Sequence, residues 1–185
     1  MTGDKRSRTI WTIGHSTRKI EIFLELLAEN GIRAVTDVRM YPGSKRYPQF
    51  NRENLARSLT EIGISYEHFP ELGGRRKPRP DSRNSAWRNE SFRGYADYME
   101  TNEFGAGIDR LVDLGTKMGS TAIMCAEALW WRCHRSLIAD FLKARGFEVI
   151  HILDLKKTES HPFTSAARIV DGKLSYESVE PMRLI

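Results

Sequence analysis

The chain has 185 residues, 40% hydrophobic and 29% charged, the balance of a globular protein that can bury a core. No apolar run approaches the ~20 residues of a membrane helix, and the polar, basic first nine residues lack the apolar segment of a secretion signal, so the expectation is a cytoplasmic protein with no membrane partner. A net charge of +5 suits a polyanionic partner without requiring one, and the two cysteines, Cys125 and Cys133, are too few for a disulfide framework and read as thiols.

Residues 1–8 read as a disordered tail, 9–155 as one α/β domain, and 156–185 as a C-terminal extension with a hairpin packed on that domain. Residues 9–13 predict a strand ended by Gly14. Ile20, Phe23, Leu24, Leu26 and Leu27 then mark the buried side of a helix that stops before Gly31. Residues 34–38 predict a second strand, and Asn51 the N-cap of a helix carrying Leu55, Leu59 and Ile62, ended by Gly63. A third strand, 64–69, is followed by one helix or two over 92–118, with Gly105 and Gly107 as the expected break. Residues 121–125 predict a fourth strand. A helix over about 132–145 has Leu137, Ile138, Phe141 and Leu142 inward, and 147–153 predict a fifth strand. Asp171-Gly172, between short alternating runs, signals a tight hairpin at the sheet edge or on the surface. Strands separated by helices need crossovers, so the expected architecture is a three-layer α/β/α sandwich with a mostly parallel sheet of about five strands.

Open sheets of this kind bind ligands beyond the carboxyl ends of their strands, and the polar clusters fall there. The first strand runs into Gly14-His15-Ser16-Thr17, and the second into Asp37-Val38-Arg39, then Pro42 and Ser44. The third leads to His68 and Glu71-Leu72-Gly73-Gly74, the fourth to Cys125-Ala126-Glu127 and Cys133-His134-Arg135. With Tyr95 and Tyr98, this ordered set resembles the prokaryotic family called domain of unknown function number 488, over residues from about 11 to 153. The resemblance implies an α/β fold and flags the two cysteines as functional candidates; it implies no reaction type.

Cys133 and His134 fall in the predicted first turn of a helix, where free N–H groups, the helix dipole, Arg132 and Arg135 favour a thiolate. A Cys133 nucleophile with His15, His68 or His134 as base suits acyl or glycosyl chemistry. The plain alternative, that Cys133 simply packs, stays open. Cys125 reads as a small buried apolar residue. Cys125, Cys133 and His134, with His15 or His68, make an alternative zinc set, but the seven-residue gap is not a finger spacing and adjacent helical side chains diverge. No metal or cofactor is expected, since neither Gly-x-Gly-x-x-Gly nor a Gly-Lys-Ser phosphate loop occurs.

His15 is positioned to donate to a phosphate or move a proton, while Ser16 or Thr17 caps the next helix. Arg39 and Arg135 suit an anion clamp, with Ser16, Ser44 and His68 nearby; Asp37 either serves that site or braces the sheet through Arg39. Glu127 would orient a histidine or activate water. Two loops interleave cations with rings: 39–52, with Lys45 and Arg46, and 73–93, with Arg75, Arg76, Lys77, Arg79 and Trp87. That pattern suits a nucleic-acid strand, or else a solvated loop whose aromatics fold back. Trp130 and Trp131 wall a pocket, stack a base or anchor a helix. Tyr95 and Tyr98 should pack one helix face with Asp97 on its exposed side. The leading expectation is a hydrolase or transferase acting on a nucleotide or nucleic acid. Its rivals are a non-catalytic nucleic-acid-binding module and a small-molecule anion-binding enzyme or sensor.

Overall fold

Apolar runs short enough for strands alternate with helical stripes, and the chain folds accordingly. The structure, a computed structural model, describes residues 8–178; all but Arg8 of the predicted tail, and residues 179–185, lie outside it. In order come β1 (Thr9–Gly14), α1 (Ile20–Glu29), β2 (Ala34–Asp37), α2 (Arg52–Glu61), β3 (Ser65–His68), α3 (Glu90–Tyr98), α4 (Asn102–Met118), β4 (Thr121–Cys125), α5 (Arg135–Ala144), β5 (Glu148–Asp154), β6 (Lys157–Ser160) and the hairpin β7 (Arg168–Val170) and β8 (Lys173–Ser175).

The sheet has six strands in the order β3-β2-β4-β1-β5-β6. The first five run parallel and only β6 is antiparallel. Central β4 is buried at every residue, as a strand covered on both faces must be. On one face Phe23, Leu26 and Leu27 of α1 and Leu55 and Leu59 of α2 pack on Ile13, Val35 and Met124. On the other, Tyr95, Phe104, Ile108, Leu111 and Leu137 of α3–α5 pack on Ile10, Ala34 and Ile123. Each such side chain contributes about 1.5–3 kcal/mol by leaving water. This distribution positions the site. The connection leaving β1 runs over the first face and the one leaving β4 over the second. The two strands are neighbours, so their carboxyl ends open a crevice at the point where the winding reverses.

Gly14 lies at that point because nothing larger fits: a Cβ there would overlap the carbonyl group of Glu127. Gly14→Ala is expected to cost about 3 kcal/mol by forcing backbone apart, lowering Tm in a thermal melt by roughly 10 °C.

Four details depart from the sequence-based expectation. β6 was not foreseen because its polar residues carry no strand pattern; it forms by main-chain pairing to the open edge of β5. The break before α4 falls at 99–101, where Thr101 Oγ1 accepts from the Phe104 amide. Gly105 and Gly107 lie inside α4, since a helical glycine costs only about 1 kcal/mol. Asn51 does stand at the start of α2, but its side chain accepts from the Ser44 amide instead of capping. Neither Ser16 nor Thr17 caps α1, which begins after Lys19. The hairpin turns through Asp171 and Gly172, both at positive φ, as a tight Asp-Gly turn demands. It forms a separate two-stranded sheet, and Tyr176, just beyond it, is buried against Trp87.

Candidate functional site

A cavity of about 540 Å³ opens beyond β1, β2 and β4. His15, Ser16, Arg39, Ser44, Arg75, Cys125, Glu127, Cys133 and His134 all line it, so the crevice gathers residues up to 119 positions apart in the sequence, from His15 to His134. Asp37, His68 and Arg135 stand behind the wall.

Cys133 is not in the helix. It is extended (φ −135°, ψ 150°), and α5 starts two residues later, after His134. The first amide of α5, that of Arg135, therefore points back at the sulfur, with N to Sγ at 3.5 Å. The Arg135 side chain is 1% exposed and fully engaged. Its Nε donates to Cys125 Sγ at 3.0 Å, Nη1 to Thr12 Oγ1 at 3.2 Å and Nη2 to the Glu127 carbonyl at 2.5 Å. The expected Arg39–Arg135 anion clamp is not formed: Arg135 lies behind the cavity wall, 1% exposed, with all three of its nitrogens turned to the protein. It serves the sulfurs instead. Burial alone would push the Cys133 thiol up, but the Cys125 thiol, the Arg135 charge and the Arg135 amide together pull it down to about 6. Burial pushes the Cys125 thiol well up and its hydrogen bond to Cys133 adds to this, outweighing the Arg135 charge beside it, so Cys125 stays protonated.

His134 and Cys133 were expected to diverge as helical neighbours; extended backbone at Cys133 brings them together, with Sγ to Nδ1 at 3.6 Å. The carbonyl of Val38 only accepts, so His134 donates Nε2–H to it at 3.0 Å and leaves Nδ1 toward the sulfur. Burial lowers the His134 pKa, favouring the neutral ring. The ring lies so close over Gly74 that a Cβ there would come within 2.9 Å of Nδ1, which accounts for the second glycine of Leu72-Gly73-Gly74. Tyr95 and Tyr98 hold this loop, donating their hydroxyls to the Leu72 and Glu71 carbonyls at 2.8 and 2.6 Å.

His15 has no free nitrogen. A guanidinium only donates, so Arg39 Nη1 at 3.2 Å makes Nε2 the acceptor, and Nδ1–H goes to the Ser16 carbonyl at 2.9 Å. The ring stacks on Phe50 at 4.2 Å. Burial is the main reason its pKa falls to about 4, so His15 is a neutral wall and not the expected acid–base group. A stability effect follows. Folded His15 binds its proton less readily than the unfolded chain, whose histidine titrates near 6.5, so its contribution is full above that pH. It is lost as pH falls toward 4, at about 1.4 kcal/mol per pH unit and roughly 3 kcal/mol in all. Urea titrations at pH 7 and pH 4 check this.

Asp37 resolves as the brace: fully buried, it takes Arg39 Nη2 at 2.6 Å, Arg39 Nε at 2.9 Å and Tyr66 Oη at 2.7 Å. His68 Nε2 is bound to the Arg39 carbonyl, outside the cavity. Ser44 Oγ accepts from the Tyr47 amide. Glu127 is exposed at the rim and meets Arg135 only through its carbonyl.

The basic loops divide. Lys45, Arg46, Arg75 and Lys77 are exposed, with Arg75 over the Tyr41 ring and Arg46 over Tyr47. Arg76 instead lies on the Tyr98 ring at 3.6 Å, and Arg79 pairs with Glu100. Trp87 packs edge-on against Phe92 at 5.0 Å. Arg76, Arg79 and Trp87 are therefore spent on the protein itself. Asp97, expected to be exposed, is buried and accepts from Ser82, Asn84 and the Arg79 amide, which pins this loop. Trp130 is an anchor, stacked on His151 at 4.4 Å, while Trp131 is half exposed.

The sequence reading missed Thr12, Asp140, His151 and His161, all buried close behind the sulfurs. One signal existed: His151 interrupts the otherwise apolar run 149–153. Among the described residues no group of three or more His, Cys, Asp or Glu side chains is arranged to hold a metal, and both sulfurs and His134 Nε2 already have partners. Among the described residues, too, no helix is long and apolar enough to cross a membrane. A comparison with protein-family models matches residues 19–142 to a domain of unknown function, DUF488. No curated protein and no solved structure matches the chain.

Proposed function

The chain belongs to the DUF488 family, whose description names no reaction, and from the site itself we propose a cysteine-dependent hydrolase or transferase acting on a nucleotide or nucleic acid. The observation that carries this reading is the setting of Cys133: a cavity-lining sulfur that accepts the first amide of α5, with His134 Nδ1 at 3.6 Å. Such an arrangement activates a thiol by a helix N-terminus and an adjacent cation. In this reading the Cys133 thiolate attacks an acyl or glycosidic carbon; the S–C bond forms as the bond to the leaving group breaks, and the leaving group takes a proton from solvent. Water or an acceptor hydroxyl then loses its proton to His134 Nδ1 and attacks the same carbon, and the S–C bond breaks to return the thiolate. A weakly basic thiolate is a good leaving group, so the same charge stabilisation serves both halves.

The mouth of the cavity favours a substrate with a flat ring and an anionic group. Tyr41 is 71% exposed there with Arg75 over its ring, a surface on which a base can stack beside a bound phosphate. The test is mass spectrometry of the protein mixed with nucleotides and short oligonucleotides. An adduct on Cys133, absent from Cys133→Ala, supports the reading; a Cys133 that takes up none of them and alkylates like a free thiol ends it. The exposed Lys45, Arg46, Arg75 and Lys77 favour the second reading, nucleic-acid binding without chemistry. There, neutralising all four flattens the salt dependence of binding by about four units of log–log slope, while Cys133→Ala changes nothing.

A further inference from the structure

Arg135 is held from behind as well as by the sulfurs. Thr12 Oγ1, which accepts Arg135 Nη1, lies 2.7 Å from His151 Nδ1; His151 Nε2 lies 2.9 Å from His161 Nδ1; His161 Nε2 lies 3.0 Å from Asp140 Oδ1. All five residues are at most 2% exposed. The proton positions follow from one end. A guanidinium only donates, so Thr12 accepts from it and gives its own proton to His151 Nδ1. His151 then carries its proton on Nε2 and donates to His161, which donates in turn to Asp140. Asp140 also accepts the Thr164 amide and hydroxyl and the Tyr176 hydroxyl. Two donors reach each oxygen of this buried carboxyl group. A single file of hydrogen bonds, all pointing the same way, thus joins a buried cation at the sulfurs to a buried carboxyl group five residues further along α5. Packing alone does not call for this: apolar residues would fill the same volume without the cost of burying charge.

We propose that Thr12, His151, His161 and Asp140 are positioning residues for the Cys133 thiolate, holding the Arg135 fork in the one orientation that presents its Nε to Cys125 and its charge to Cys133. The inference rests on Cys133 being the reactive group. The titratable or charged groups facing that sulfur are Cys125 from β4, His134 and Arg135 at the start of α5, and Tyr95 from α3. None of the four relay residues is among them, so the positioning influence proposed here passes through Arg135.

The experiment is the pH profile of Cys133 alkylation by iodoacetamide, read by mass spectrometry on full-length protein, with a thermal melt of every variant. Thr12→Val keeps the shape and cuts the first link. The expected result is a midpoint raised by about one pH unit, with Thr12→Ser, which keeps the hydroxyl, returning it to the wild-type value. Should Thr12→Val fail to fold, Asp140→Asn tests the far end with a sign that discriminates. Removing a negative charge through space would lower the midpoint; loosening Arg135 raises it. A raised midpoint supports the relay. A wild-type midpoint in folded Thr12→Val, or a lowered one in Asp140→Asn, overturns it and leaves the cysteine reading standing. A wild-type protein whose Cys133 titrates as an ordinary thiol overturns both.

Discussion

Iodoacetamide at pH 6 will modify Cys133 and leave Cys125 untouched. With its thiol held near 6, Cys133 is half ionised there, whereas an ordinary thiol near 8.5 is ionised to less than about 1%. The weaker base is also the weaker nucleophile, which returns part of the gain, so the expected advantage is roughly tenfold over an unactivated cysteine. The rate should rise to a plateau with its midpoint near pH 6. Cys133→Ala abolishes the fast phase. Cys125→Ala keeps it with a raised midpoint, because one of the donors that stabilise the thiolate is gone. A profile centred above pH 8 in the wild type removes the nucleophile.

Removing Arg135 should unfold the site as well as silence it. Its three nitrogens satisfy Cys125, Thr12 and the Glu127 carbonyl, and the side chain that holds them is 1% exposed. Arg135→Met therefore strands several buried polar atoms and a thiolate, at an expected cost of about 3–5 kcal/mol. In urea the midpoint falls while the slope stays as in the wild type, since the surface exposed on unfolding is unchanged. The Cys133 titration moves above the ordinary thiol range, because burial then acts without a compensating charge. Arg135→Lys retains the charge but cannot reach three partners at once, so it should lie nearer to Met than to the wild type.

The layered sheet was legible in the sequence because each of the five parallel strands ends in a polar or glycine-bearing turn and each connecting helix carries its own apolar stripe. The gathering of His15, Arg39, Gly74 and Cys133 at one crevice followed from the rule that strand ends face the same way. What each residue does there was not legible. Asp37 and Arg39 close on each other because no water competes where β2 ends, and that consumes the guanidinium that had looked free. The Cys133–His134 contact depends on α5 beginning about three residues later than the apolar pattern suggests, a shift no periodicity reveals. Trp87 and Asp97 turn inward because the 73–93 segment folds over α3, and composition could not distinguish that path from a solvated one. The Thr12–His151–His161–Asp140 file has no motif spacing at all. Its members meet only because α5 lies across β1 and β5 and the chain returns past β5 after β6.

The inward pinning of 73–93 has a consequence for proteolysis. Seven basic side chains in that stretch make it, by composition, the place where trypsin should cut first. Yet the bonds after Lys77 and Arg79 precede proline, which trypsin rejects, and Arg76 lies flat against Tyr98. Arg93 lies inside α3, so cleavage is left to Arg75, Arg83 and Arg88. A chain nicked at Arg83 or Arg88 would stay associated, since Asp97 grips the Arg79 amide across either cut and Tyr176 also holds the Ala86 amide across the second. The two pieces should leave a sizing column as one particle and part only in denaturant.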